Sequence, residues 1–581
     1  MPSNNPCYKI HYCKYGRDIP KMIDLEYLEK QYSELVASRK TSDPESYNPF
    51  QITNLQLYNP IYKLFFELNE NNIQRISLNH PLHMETLTTV FDVKSAKPLE
   101  KPVFIKYSPL LNPVRYMIGK YSDNSEKITR LPALNSNTND IIPSITSYNN
   151  TSYVDCFFSF LTSVLLNHHG FLHGVDYYGS YLGIQKQFKT CITDDLDYLR
   201  NSDYFHEHVG KDFYIETPAE MSDEIYNGAG SRGNKQKLEI LETGQDILME
   251  DAIDLNILEP ISDPDIIQED LEEVYENPAF NAENSDNDDD DSSNSHLNYS
   301  SEGDVDPENV NESDIESENG SENWQTEDGS SSEESEVYGY IHNFPMQMIC
   351  LEKCEGTLDE LFEKNEIDDK TGAAALFQVI MMLLAYQKAF KFTHNDLHTN
   401  NIMWVSTDVE YLSYRFSGKV YRVPTYGKVF KLIDFGRAIY RFQDKQFCSD
   451  SFAPGGDAAT QYNFEPVFNK NKPRLDPNFS FDLCRLGSSI FDFLMDENTP
   501  VSKMDELQKT IHRWCLDDNK KNVLYKKNGE ERYPNFKLYK MIARTVHEHT
   551  PEAQLEFPFF KQFLSKVKGD IMMDLDALPN Y

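Results

Sequence analysis

Apolar positions recur at helical spacing in "MIDLEYLEKQYSELVASR" (22–39), and polar turns break the pattern on either side. Two β-branched and aromatic stretches, "LTTVFDV" (87–93) and "PVFIKYS" (102–108), predict strands. The run "YVDCFFSFLTSVLLNHHG" (153–170) is apolar at helical spacing and closes on a glycine, which predicts a helix with a defined end. After it, "FLHGVDYYGSYLGIQ" (171–185) reads as a hairpin or paired strands, and from about Thr193 the pattern decays. Order resumes in "YGYIHNFPMQMICLEKCEGTLDELFEK" (338–364) as strand, short polar turn and helix. The most apolar run, "GAAALFQVIMMLLAYQKAF" (372–390), is broken by Gln378 and Gln387 and reads as a buried helix rather than a membrane span. The stretch 403–431 fits a long β-hairpin, and no internal repeat is visible. Strands and helices in this order make an α+β chain.

Composition changes this picture in one place. With 581 residues, 39% hydrophobic and 13% aromatic, the chain has room for two to four domains, or for one large domain with insertions. The net charge of −39 is concentrated: no Lys or Arg occurs between Lys237 and Lys353, and residues 261–337 hold 27 acids. Such a segment buries too little surface to offset its ordering entropy, so it is expected to be disordered. Its role stays open among a solvated linker, a tail that recruits basic partners or substrates, and an autoregulatory element. Its runs "SDNDDDD" and "SSSEESE" set Ser285 and Ser330 to Ser335 beside acids, the kind of site acidophilic kinases modify. The nine cysteines form no C-x-x-C, which fits a reducing compartment, and the N-terminus lacks the apolar core of a secretory signal. A cytoplasmic protein with no nucleic-acid or membrane partner is expected, since no basic footprint stands out.

Candidate chemistry lies in "HNDLHTNNIM" (394–403) and "VFKLIDFGRAI" (429–439). Phosphoryl transfer needs a carboxylate to orient the attacking group, metal ligands, and a cation on the phosphates. Asp396 suits the first role, while Asn401 and Asp434 suit the second through their oxygens. Either motif alone is a weak signal; both in this order, after an apolar helix, are a strong one.

His394, Asp396, Leu397 and Asn401, followed by Asp434-Phe435-Gly436, resemble the catalytic and metal loops of the protein-kinase superfamily. That resemblance implies a two-lobed fold: an N-terminal extension (1–84), a small lobe (85–350) interrupted by the insertion 193–337, and a large lobe (351–581). "VFIK" makes Lys106 the phosphate-binding lysine, and Asp155 is the acid that the following helix offers it. "MICLEKCEGTLDEL" is similar to the passage from strand to hinge, with Leu351 as gatekeeper and Glu352 to Cys354 as hinge, so Leu351, Glu352 and Cys354 join Lys106 and Asp155 around ATP. "FDLCRLGSSIFDFL" resembles the buried helix in which Asp482 braces the catalytic loop and Gly487 lets helices pack. "TPEAQLEFPFFKQF" looks like the last large-lobe helix. ATP and Mg2+ are the implied cofactors, with a protein Ser or Thr hydroxyl as acceptor. More narrowly, the motifs and the Asn/Lys/Tyr-rich style look like divergent kinases of large DNA viruses, which would act in host cytoplasm or the virion.

Several residues depart from the family pattern. No glycine stands between Gly16 and Gly119, so the Gly-rich loop is missing; Asn395 replaces the loop Arg, His398 stands where Lys is usual, and no A-P-E precedes Asp482. A small-molecule kinase of the same superfamily and a pseudokinase scaffold with an acidic partner-binding insert therefore stay open as alternatives.

Overall fold

The structure is a computed structural model that describes residues 22–38, 43, 47–70, 73, 78, 80–134, 138–216, 336–496, 499–566 and 572–581. The acidic run expected to be disordered lies outside the described residues.

The chain is a mixed α+β protein with several antiparallel sheets. The largest sheet runs in the order Ile52–Gln56, Tyr177–Cys191, Tyr338–Glu352, Val103–Pro109, and Phe213–Glu216 also pairs with Tyr338–Glu352. Its two long strands pair in register from Gly179 with Cys350 to Cys191 with Tyr338, and an irregularity shifts the register before Tyr177 meets Leu351. Lys106, on the neighbouring strand, stands opposite Ile349, and Phe104 stands opposite Leu351.

Three regions differ from the pattern in the sequence. Residues 171–185 are not a hairpin: Tyr177–Cys191 is one long strand whose partners come from far along the chain. Residues 193–216, expected to open the insertion, form the short helices Leu196–Arg200 and Asp203–His208 and a strand that pairs Glu216 with Tyr338. Within residues 1–84, expected as an extension, Ile52–Gln56 adds a strand to the main sheet against Tyr177–Cys191. All three elements depend on distant partners, which short-range periodicity does not report.

The helix Thr151–His169 starts where the Asn150 side chain accepts from Ser152 N–H, and it ends at Gly170 with φ +64°. Its core face carries Phe158, which stacks on Phe392 at 4.3 Å and meets Phe435 at 4.7 Å. That packing fixes the helix against the Asp434-Phe435-Gly436 segment. The helix Asp369–Phe390 opens with a capping box between Asp368 and Thr371. It is long and apolar enough to cross a bilayer, yet 94% of its apolar window is buried inside the protein. The pattern's reading of a core helix therefore holds. Between residues 402 and 432 the expected long hairpin forms as two ladders, Ile402–Ser406 with Lys428–Leu432 and Tyr411–Phe416 with Lys419–Pro424.

Candidate active site

The loop that carries Asp396 is held from three directions. Its entry is tied to Ile439, because Thr393 N–H donates to Ile439 C=O at 2.9 Å. From below, the fully buried Asp482 carboxylate accepts His394 N–H and Asn395 N–H, each at 2.9 Å. From the side, His394 Nε2 meets Ile433 C=O at 3.0 Å, and Ile433 N–H donates to Asn401 C=O at 3.1 Å. These bonds lock residues 394–401 to the end of the strand that delivers Asp434. Burial pushes the Asp482 pKa up, while His394 and the two backbone donors work against that rise.

Asn395 and Asp434 both adopt left-handed backbone, with φ +65° and +59°. Short polar side chains tolerate this region, and a branched or long one fits it poorly. Asn395 also works through its amide: Nδ2 donates to Arg437 C=O at 2.9 Å, and Oδ1 accepts from the Tyr462 hydroxyl at 2.7 Å. This gives a structural reason for asparagine at 395.

Lys106 joins two segments at once. Its Nζ lies 2.7 Å from Asp155 Oδ2 and 2.9 Å from Asp434 Oδ1. Asp155 Oδ1 accepts Phe435 N–H at 2.8 Å, so one carboxylate links strand, helix and the Asp434 turn. Burial opposes the charge on Lys106, but the two carboxylates more than offset it and hold the ammonium above its usual range. Burial and the neighbouring Asp434 raise Asp155, whereas Asp434, despite burial, is drawn down by Lys106. One cation between two carboxylates leaves a surplus negative charge when both are ionised.

Asp396 faces a second set of partners. Arg437 Nη1 lies 3.4 Å from Oδ2, and the Tyr539 hydroxyl donates to Oδ1 at 2.7 Å. Burial works to raise its pKa, but Arg437, His398, Arg485 and Tyr539 together hold the carboxyl well below the usual range. Burial pushes His398 down to about 4, so its ring is neutral at pH 7 and accepts from Asn401 Nδ2 at 3.0 Å. Asn401 Nδ2 also donates to Asp396 C=O at 2.9 Å. With its nitrogen engaged twice, the Asn401 amide has its oxygen left for another partner.

The remaining nucleotide candidates sit at the end of the interior strand Tyr338–Glu352 and just beyond it. Leu351 is buried opposite Phe104, and Glu352 forms an ion pair with the buried Lys431, whose Nζ also donates to Gly174 C=O at 2.8 Å. Burial pushes the Cys354 thiol up to about 12, which keeps it protonated. The Glu352 carboxylate is thus committed to Lys431. Gly487 is where two helices approach: an added Cβ would stand 2.9 Å from Trp514 Cβ.

The structure brings Lys106, Asp155 and Asp434 together, and it locks the Asp396–Asn401 loop to the Asp434 strand. Arg437, Arg485 and Tyr539 were not among the sequence candidates: Arg437 and Arg485 lie inside quoted motifs without being singled out, and Tyr539 meets Asp396 only through tertiary folding. Among the described residues, no cluster of three His, Cys, Asp or Glu side chains forms a ready-made metal site. A scan against protein-family models finds none that matches the chain, and a search of curated proteins finds no match.

Proposed function

We propose that this chain is an ATP-dependent protein kinase with a two-lobed, protein-kinase-like fold, transferring the γ-phosphoryl group to Ser or Thr hydroxyls. The observation that carries the reading is the position of Lys106, 2.7 Å from Asp155 and 2.9 Å from Asp434. A lysine held between a helix acid and a strand-end acid is the device that sets a cation on nucleotide phosphates beside a metal-binding carboxylate. The Asp482 brace under the Asp396 loop supports the same reading.

In this scheme Lys106 binds phosphate and Asp155 holds Lys106 in place. Asp434 and the Asn401 amide oxygen would hold Mg2+. One carboxylate and one amide suit an ion that takes its other ligands from phosphates and water, and the surplus negative charge beside Lys106 suits a divalent cation. Bound there, Mg2+ would supply charge neutralisation. Leu351 and the 352–354 backbone would line the adenine side. Asp396 is too acidic to be a strong base, so its role is to orient the acceptor hydroxyl. Without a Gly-rich loop, phosphate contacts fall more heavily on Lys106 and on other backbone donors.

A pseudokinase scaffold is the second reading, and one observation favours it: Tyr539 and Arg437 already engage both Asp396 oxygens. A small-molecule kinase is separated from both by the acceptor that becomes labelled. The test is a thermal-shift titration with MgATP on wild type and Asp434→Asn, followed by labelled-ATP transfer to pooled proteins and, separately, pooled metabolites. A nucleotide-dependent shift in wild type, lost in the variant, with label on protein Ser or Thr, is the expected result. No shift and no turnover leaves the scaffold, and label on metabolites alone overturns the protein-kinase reading.

A further inference from the structure

The surroundings of Asp396 are cationic in a chain with 94 acids against 55 Lys and Arg. Arg437 lies against Asp396 Oδ2, and Arg485 Nε donates at 2.8 Å to the Tyr539 oxygen that caps Oδ1. The helix Lys537–Thr545, which carries Tyr539, adds Lys540 and Arg544 at an i,i+4 spacing that puts both on one face. Residues 532–544 contain four bases and no acid.

These groups form one connected rim. The Phe536 ring has Arg437 Cζ at 5.9 Å from its centroid and Lys540 Nζ at 5.4 Å. Arg544 Nη2 donates to Thr460 C=O at 3.1 Å, and two residues further on Tyr462 bonds Asn395, the neighbour of Asp396. Lys540 and Arg544 stand one turn apart on the same helix, and burial, then Arg544 and Lys472, lower the Lys540 pKa. Crowding of like charge is relieved when an anion binds, and a rim of one sign concentrates ligands of the other.

We propose that the acceptor for this site is an acidic peptide: a Ser or Thr whose neighbouring Asp or Glu side chains lie against Lys540, Arg544 and Lys472. The inference rests on the kinase reading and names its substrate class. The acceptor hydroxyl takes the place of the Tyr539 phenol between Asp396 and Arg485. Its oxygen forms a bond to the γ-phosphorus of ATP as the bond from that phosphorus to the β,γ-bridging oxygen breaks. ADP leaves, and the hydroxyl proton passes to solvent while Asp396 holds the acceptor in line. Carboxylates beside the acceptor meet cations that the chain has otherwise gathered at a folding cost.

The test uses the full-length chain, MgATP and three sets of Ser peptides flanked by Glu and Asp, by neutral residues, or by Lys and Arg. The expected kcat/KM for the acidic set exceeds that for the basic set by tenfold or more, and the ratio narrows as salt is raised. Lys540→Glu should raise KM for acidic peptides fivefold or more, with Lys540→Gln giving a smaller rise; melting temperatures establish that both variants fold. Equal or reversed preference in wild type, or an unchanged acidic-peptide KM in both folded variants, overturns the proposal. If MgATP shifts the melting temperature and only basic peptides are labelled, the substrate class is wrong while the kinase reading stands. If no nucleotide shift and no transfer are seen, both fall together.

Discussion

The Tyr539 hydroxyl donates to Asp396 Oδ1 at 2.7 Å and accepts from Arg485 Nε at 2.8 Å, so a phenol occupies the place proposed for the acceptor hydroxyl. Tyr539→Phe deletes that hydroxyl and keeps the ring beside Phe481 and Phe536. The loss of two hydrogen bonds should cost about 1–2 kcal/mol of stability. Acceptor KM should fall at least threefold while the KM for ATP stays put. A drop in kcat at constant acceptor KM would instead make Tyr539 a support that positions Asp396.

Asp482 holds the loop by two backbone N–H groups, and Asp482→Asn keeps only one good acceptor. An unpaired buried N–H should cost roughly 1–3 kcal/mol. Steady-state kinetics should show kcat lower by thirtyfold or more, while the MgATP thermal shift persists because Lys106 and Asp434 are untouched. Loss of both together would mean that the loop and the nucleotide site unfold as one unit.

Burial pushes His80, His173 and His398 each down to about 4. Unfolding returns each to an ordinary pKa near 6.5, so between pH 6.5 and 4 the unfolded chain binds more protons than the folded one. Stability is therefore full above pH 6.5 and declines as pH falls toward 4, by roughly 3 kcal/mol per histidine at most. Asp396, held well below the usual range, stays ionised throughout, so the loss is one of folding rather than of the carboxylate. Urea midpoints at pH 7, 5.5 and 4 measure the slope. His173→Gln should flatten it, since His173 is held by Phe430 C=O and the Tyr414 hydroxyl, each at 2.7 Å. Midpoints that do not move with pH would rule out buried neutral histidines.

The runs "SDNDDDD" and "SSSEESE" have the acidic flanks proposed for the acceptor. Phosphopeptide mapping of the chain expressed in eukaryotic cells should find phosphate on Ser285 or on Ser330 to Ser335. Loss of the mark in Asp434→Asn would assign it to the chain's own activity; a segment without phosphate in wild type contradicts the expectation.

Legibility in the sequence followed the range of the interaction. Asp396 and Asn401 sit five residues apart, and Asp434 follows an apolar strand, so local spacing was enough to flag all three. Asp155 was weaker, because one short acid on an apolar helix makes no motif of its own; the approach that lets it reach Lys106 is set by Phe158 packing on Phe392 and Phe435. Tyr539 left no signal at all, being 143 residues from Asp396 on a helix whose pattern reports only its buried side. The strand Ile52–Gln56 and the helices after Thr193 were missed for a related reason. They are short and half polar, and distant partners (Tyr177–Cys191 for the strand, Pro113–Met117 for the helix Asp203–His208) supply the order their own residues lack.

One ladder has a topological consequence. Glu216 pairs with Tyr338, so the chain leaves the main sheet and re-enters it at adjacent points. The entropy of closing a loop at such a point grows only with the logarithm of its length. A short linker joining 216 to 336 should therefore leave the pairing of Phe213–Glu216 with Tyr338–Glu352 unchanged.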